Sequence, residues 1–379
     1  MRPAFFLTIA LLPACEQRRA PAVPIPTPPK ALVAPSSTWT DLGRQLFFDP
    51  LLSNPPGQSC ASCHDPATAF SDPLHRAISP GAAHGALGNR NAPTLLYAKH
   101  IPPFGMDEDD DALPPAPVDD AYAQEVREEA LPLQKTGGLF VDGRANSLEA
   151  QVAGPLFNPL EMNNPDKAAI ADRLRAAPYA HRFADLVDAQ ALTTPDSALH
   201  WASFALATFE QSAAFAPFAS RYDAFLAGKE KFTAQESEGL DVFENPKRGN
   251  CASCHPNRPQ PYDVCPPLFT DHSYHNLGLP PLPGTLPDAG LFAITGDPKD
   301  KGQFRTPTLR NIDKTAPYFH NGRSKTLREV VDFYADRPTG KFGPAAFPET
   351  METRRTGNLK LTEAEREALV AFLKTLDDR

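Results

Sequence analysis

The chain has 379 residues, 43 of them proline, and a formal net charge of −9 at pH 7. That length points to two domains, each with room for a substantial core, and proline at about twice its ordinary share calls for long loops. The acidic balance argues against a nucleic-acid partner and weakly favours a basic one.

At the N-terminus, Arg2, the apolar run of residues 4–12 and Pro13-Ala14 before Cys15 read as an export signal. The run is too short to span a bilayer as a helix. Leu12-Pro13-Ala14-Cys15 is similar to a bacterial lipobox. Residues 1–15 are therefore expected to be a lipoprotein-type signal, with Cys15 lipidated and the chain held in the periplasm by that anchor alone. Residues 16–38 form a proline-rich tether, and order is expected from near Trp39.

A short helix with apolar residues three or four apart follows, Leu42-Gly43-Arg44-Gln45-Leu46-Phe47-Phe48, ended by Pro50. Then comes Cys60-Ala61-Ser62-Cys63-His64. Two thiols two residues apart, followed at once by an imidazole, are the pattern of covalent haem c attachment: the thiols take the vinyl groups and the imidazole binds iron. The same five residues return as Cys251-Ala252-Ser253-Cys254-His255. A structural zinc site would not ask for a His directly after each pair. The second motif is also preceded by a short apolar-patterned helix, opened by Thr233 and Glu236 as a capping box and ended at Pro246. A duplicated small haem domain accounts for the repeat.

Between the motifs, residues 99–138 contain the run Asp107-Glu108-Asp109-Asp110-Asp111, read as a solvated loop, and a short polar helix near 121–130. Residues 168–175 and 198–215 read as helices, the latter with Trp201, Phe204, Ala205 and Phe209 on one face. A last helix is capped by Thr362 and Glu365 and carries Leu369, Val370, Phe372, Leu373 and Leu376. No stretch shows sustained strand alternation. The fold class expected is mainly α: two cytochrome c-like haem domains with long loops packed against each other, spanning 39–230 and 231–379. Cys265 is left as a quiet buried thiol.

His64 and His255 supply one axial ligand each. On the opposite faces, spacing alone leaves His75 and His84 open for the first haem, and His320, Tyr334 and Met351 for the second. Tyr334 continues the stripe of Leu327, Val330 and Val331, so by itself it reads as helix core.

From about Leu42 onward the chain resembles the bacterial dihaem cytochrome c peroxidases and their MauG-type relatives. The blocks that carry the resemblance are Arg90-Asn91-Ala92-Pro93-Thr94, Asp142-Gly143-Arg144-Ala145, Gly154-Pro155-Leu156, Asn158-Pro159-Leu160-Glu161-Met162, Thr306-Pro307-Thr308-Leu309-Arg310-Asn311 and Thr315-Ala316-Pro317-Tyr318-Phe319-His320-Asn321-Gly322. The resemblance implies that Glu161 is the catalytic carboxylate beside a peroxide-binding haem, with Gln151 and Pro155 lining the same pocket. It puts His84 where the peroxidases keep a displaceable distal His. Tyr334 falls where peroxidases carry Met and MauG-type proteins carry Tyr. Asn91, Thr315 and Pro317 fall on an interdomain calcium site. One departure stands out: Phe140-Val141-Asp142-Gly143-Arg144 has Val where the family has an inter-haem Trp, so transfer is either direct or through another aromatic.

The function expected is an exported dihaem c-type peroxidase. It would reduce hydrogen peroxide at the first haem, with electrons relayed by the second from a small cytochrome c or cupredoxin. MauG-like oxidation of a partner protein and a non-catalytic electron-transfer cytochrome are the alternatives. The cofactors implied are two covalent haem c groups and one Ca2+, and a homodimer is allowed.

Overall fold

A computed structural model describes residues 36–106, 134–258, 266–353, 355–356 and 359–379. The export signal with Cys15, nearly all of the tether, the run at 107–111, the helix expected near 121–130 and Cys265 lie outside these residues. No described helix is long and apolar enough to cross a membrane.

The fold is helix-rich, and side-chain caps open most of the described helices. In chain order they are α1 (Ser36–Phe47), α2 (Leu148–Phe157), α3 (Lys167–Ala176), α4 (His181–Leu186), α5 (Pro195–Glu210), α6 (Arg221–Leu226), α7 (Ala234–Glu244), α8 (Phe292–Thr295), α9 (Leu327–Asp336) and α10 (Glu363–Leu373). Thr233 with Glu236 and Thr362 with Glu365 form the two capping boxes read from sequence, opening α7 and α10. Asp166 and Thr194 cap α3 and α5, with Pro195 at the first position of α5, where its missing N–H costs nothing. The helix expected over 198–215 stops at Glu210: Ala213–Phe215 is a separate 3₁₀ turn that swings Phe215 onto Phe70, ring centroids 4.2 Å apart.

Among the described residues, strands are confined to two short antiparallel ladders. β1 (Gly105–Met106) pairs with β2 (Lys135–Thr136) and closes the base of the acidic segment. Lys135 Nζ reaches Asp300 at 2.6 Å and ties that base to the second half of the chain. β3 (Tyr274–His275) pairs with β4 (Phe304–Arg305), Tyr274 opposite Arg305 and His275 opposite Phe304.

Two main clusters of buried apolar side chains form, one around each CASCH turn. Cys60 and Ala61 pack on the first, built from α1, α3 and α5; Cys251 and Ala252 pack on the second, built from α7, α9 and α10. The repeat extends beyond the motifs. Tyr97 and Asn311, each four residues after the proline of a Pro-Thr-Leu block, both adopt left-handed backbone, with φ of 65° and 61°. They converge on one carboxylate near the C-terminus: Tyr97 Oη and Asn311 Nδ2 donate to Asp378 Oδ2 at 2.6 and 2.5 Å, and Ala219 N donates to Oδ1 at 2.7 Å. Removing a partner from buried donors costs ~1–3 kcal/mol for each group left unsatisfied. Asp378→Ala is therefore expected to lower stability by more than about 2 kcal/mol. Urea unfolding followed by circular dichroism checks it; an unchanged midpoint refutes this tie.

Candidate functional site

Both CASCH segments fold as the same 3₁₀ turn, Cys60–Ser62 and Cys251–Ser253, with His64 N donating to Cys60 O at 3.0 Å and His255 N to Cys251 O at 2.8 Å. The four thiols are free, so each pair is available for thioether bonds. Burial pushes Cys60 and Cys251 up to about 12. His64 Nδ1 lies 3.0 Å from Phe70 O, and His255 Nδ1 lies 2.9 Å from Phe269 O. A carbonyl only accepts, so Nδ1 carries the proton and Nε2 keeps its lone pair for a metal. Burial lowers both imidazole pKa values, which favours the neutral ring a ligand must present.

Each accepting carbonyl belongs to a phenylalanine in left-handed backbone, φ 57° at Phe70 and 56° at Phe269. Such a conformation costs a non-glycine residue about 1 kcal/mol or more, and here it recurs where a carbonyl meets a ligand imidazole. The Pro-Thr-Leu blocks hold it in place. Thr94 Oγ1 donates to Ala69 O at 2.5 Å, and Thr308 Oγ1 donates to Leu268 O at 2.6 Å. Each hydroxyl also accepts, from Leu96 N and Arg310 N.

The second motif opens on a cavity of about 270 Å³, bounded by Cys251, Cys254 and His255 and by Val330, Val331 and Tyr334 of α9. Tyr334 thus belongs both to the buried stripe read from sequence and to the cavity wall, and burial raises its pKa above the ordinary phenol value. Of the other ligand candidates, His320 lines the cavity but is stacked on Phe304 at 3.7 Å. Met351 packs against Gly278. The donor set fits haem c: two free thiols on one edge, a neutral imidazole with Nε2 available, and a phenol, around apolar walls.

Glu161 sits in the turn after α2, and Asn158 organises that turn. Asn158 Nδ2 donates to Glu161 Oε1 at 2.9 Å, and Asn158 O accepts from Glu161 N at 3.0 Å. Burial raises the Glu161 pKa against the opposing pull of Asn158, Arg144 and Arg90. Its charge also acts on the Cys63 thiol, so it belongs to the first motif's site. Gln151 and Pro155 are one turn apart on α2, hence on one face. The 80–88 turn carrying His84 joins the site through Ala82 N, which donates to Glu161 O at 2.7 Å. His84 itself is exposed at its tip, and His75 is exposed with Nδ1 2.8 Å from Ala316 O.

Asp142 is buried and anchors Arg90 and Arg144, at 2.5 and 2.7 Å; Arg90 also grips Asp288 at 2.6 Å. The two residues before Asp142 face different sites. Phe140 packs on Gly154 of α2, where a Cβ would lie 2.6 Å from its ring, and Val141 lines the second cavity. Asn91, Thr315 and Pro317 all line that cavity, and Asn91 N donates to His320 O at 2.8 Å. Asn91 Nδ2 is spent on the carbonyls of Arg76 and Ala77, leaving Oδ1 as a hard oxygen donor suited to calcium.

Sequence reasoning missed one cluster: Cys254, Asp271 and His275 offer atoms within 4.8 Å of one another. Asp271 holds His275 at 3.2 Å, and the hydrogen bonds to Asp271 and Cys254 outweigh burial and bring the imidazole up to about 10. The neighbourhood of a carboxylate and an imidazole four apart is the sole sequence signal for it.

Residues 37–231 match the family model of the di-haem cytochrome c peroxidases. The methylamine utilization protein MauG of Paracoccus denitrificans is 38% identical over 367 residues, covering 89% of this chain and 88% of that protein. The cytochrome c551 peroxidase of Nitrosomonas europaea is 30% identical, covering 92% and 83%. The crystal structure of the diheme peroxidase BthA from Burkholderia thailandensis superposes with a TM-score of 0.77 at 32% identity, covering 91% of this chain and 87% of that one. With paired CASCH turns built alike and relatives matched over nearly their full length, the chain belongs to the di-haem cytochrome c peroxidase family, oxidoreductases that act on peroxide and carry two c-type haems.

Proposed function

We propose that this is an exported, lipid-anchored periplasmic peroxidase with two haem domains, residues 39–230 and 231–379. Hydrogen peroxide is reduced at the site of Cys60, Cys63 and His64. Electrons enter through the site of Cys251, Cys254 and His255 from a small cytochrome c or cupredoxin. The observation that carries this reading is Glu161, a half-buried carboxyl at the first motif whose affinity for a proton is raised by burial. Haem iron, when bound, supplies the position for peroxide and the redox equivalents. Asn158 occupies Glu161 Oε1, so Oε2 is the oxygen free to take a proton from peroxide and return it to the departing oxygen. Gln151 offers an amide on the same side, and an interdomain Ca2+ on Asn91, Thr315 and Pro317 would brace the two halves.

Mixing the holoprotein with peroxide in the presence of reduced cytochrome c tests the proposal. Turnover that depends on the cytochrome supports it. Two haems six-coordinate in every redox state and silent towards peroxide would overturn it in favour of an electron-transfer module.

Tyr334 on the wall of the second cavity favours a second reading, MauG-like oxidation of a partner protein. A hard phenolate ligand stabilises Fe(III) and higher states, whereas a thioether stabilises Fe(II). Tyr334→Met is therefore expected to raise the midpoint potential of the second haem, measured by potentiometric titration. An unchanged potential would remove Tyr334 from the iron.

A further inference from the structure

The guanidinium groups of Arg310 and Arg90 are matched to carboxylates. Arg310, 1% exposed, holds Asp223 through two bonds of 2.9 Å, and Arg90 holds Asp142 and Asp288. Arg305 breaks the pattern. It is 9% exposed, and among the described residues no carboxylate pairs with it. Nη1 donates to Thr306 O at 3.3 Å and Nη2 to Phe140 O at 3.4 Å, both long, while Nε is buried with no partner. The charged or titratable groups facing it are Tyr274, its partner across the ladder, whose hydroxyl donates to Gly137 O, and Asp271, committed to His275.

Arginine does not escape this situation by losing its proton. A buried cation without a counter-ion is strongly unfavourable, so the missing anion must come from outside the described residues. Arg305 lines the second cavity, beside Val141 and Thr306. The CASCH turn fixes the vinyl edge of a haem at Cys251 and Cys254, and the two carboxylates of haem c leave from the opposite edge. Resting on the reading that this cavity takes haem c, we propose that Arg305 is the counter-ion of a haem propionate at the second site, with Nε and an Nη forming a two-pronged grip on the carboxylate.

The consequence is a haem whose potential is insulated from pH. A propionate held by a fixed guanidinium stays ionised through neutral pH; without it, burial raises the propionate pKa into that range. In Arg305→Gln the midpoint potential of the second haem is expected to fall, because a positive charge that favours Fe(II) is gone. It should also acquire a pH dependence between about 5 and 8 that the wild type lacks. Arg305→Lys should keep the higher potential. These are read by potentiometric titration of the full-length holoprotein at several pH values. Haem content of the wild type by pyridine haemochrome is read alongside: one haem per chain defeats the cavity assignment, whereas two haems with an unchanged potential in Arg305→Gln defeat only the role of Arg305. Should Arg305→Gln not assemble, the propionate bending band in the resonance Raman spectrum of the wild type decides. A band constant across that pH range supports the pairing, and one that titrates overturns it.

Discussion

Glu161→Gln is expected to slow peroxide turnover by ~10²–10⁴-fold, the usual contribution of a positioned general acid–base group. Both haems should remain attached. The substitution is nearly isosteric, and the Asn158 Nδ2 bond to Oε1 can persist on the amide oxygen, so the turn after α2 has no reason to move. What disappears is the capacity to hold a proton at Oε2. The pH profile separates this loss from a structural one. Burial lifts the Glu161 pKa above its ordinary value of 4.5, so the acid limb of the wild-type rate lies above the normal glutamate range. Below that limb the carboxyl is protonated and cannot accept, so the rate falls as pH falls through the raised pKa. The glutamine variant should be slow and flat. Asn158→Ala deletes the largest interaction that lowers the pKa, so it should move the limb to higher pH while leaving the plateau rate nearer to wild type. Stopped-flow rates across pH measure all three. If Glu161→Gln reacts as fast as wild type, the carboxylate has no part in the chemistry.

What the sequence exposed and what it hid follow from which atoms do the work. The CASCH motifs were legible because covalent chemistry fixes both spacing and identity, and the capping boxes at Thr233 and Thr362 because side-chain oxygens make those bonds. The acceptors for His64 and His255 are main-chain carbonyls of Phe70 and Phe269, which any residue could supply, and their left-handed backbone has no glycine to announce it. Pro155 marks a helix end by rule, yet α2 runs through it to Phe157. So near the C-terminal end its ring removes one intrahelical bond, the one that Gln151 O would have accepted. The period of 198–215 carried on through Phe215 although the backbone leaves α-geometry at Ser212, because Phe215 is claimed by Phe70 and Phe209 of the core rather than by its own helix. Asp271 and His275 reach Cys254 only through the fold. Arg305 is conspicuous for what does not surround it, which no linear pattern records.

Gly43→Ala and Gly239→Ala are each expected to destabilise their own half of the molecule strongly for a single added methyl. Gly43 lies where α1 crosses α5: an added Cβ would strike Ala205 O and lie 2.8 Å from Phe209 Cβ. Gly239 repeats this where α7 crosses α10, against Ala368 O and 2.7 Å from Phe372 Cβ. Three and four residues on, Leu46 and Phe47 match Val242 and Phe243, all fully buried, so the glycine sets how closely each core helix approaches its partner. Alanine normally improves a helix by ~1 kcal/mol over glycine. Overpacking a tight contact costs ~1–3 kcal/mol, and here the obstacle is a main-chain carbonyl that cannot rotate away. The steric term should therefore win, at the upper end of that range or beyond. Helices forced apart would also drag the CASCH turns that pack on the same clusters, so Gly43→Ala should reduce haem at the first site and Gly239→Ala at the second. Thermal unfolding by circular dichroism, together with haem-to-protein ratios, reads both effects. If either variant melts with the wild type and carries two haems, its crossing is looser than the backbone places it, and the equivalence of the two halves fails at that point.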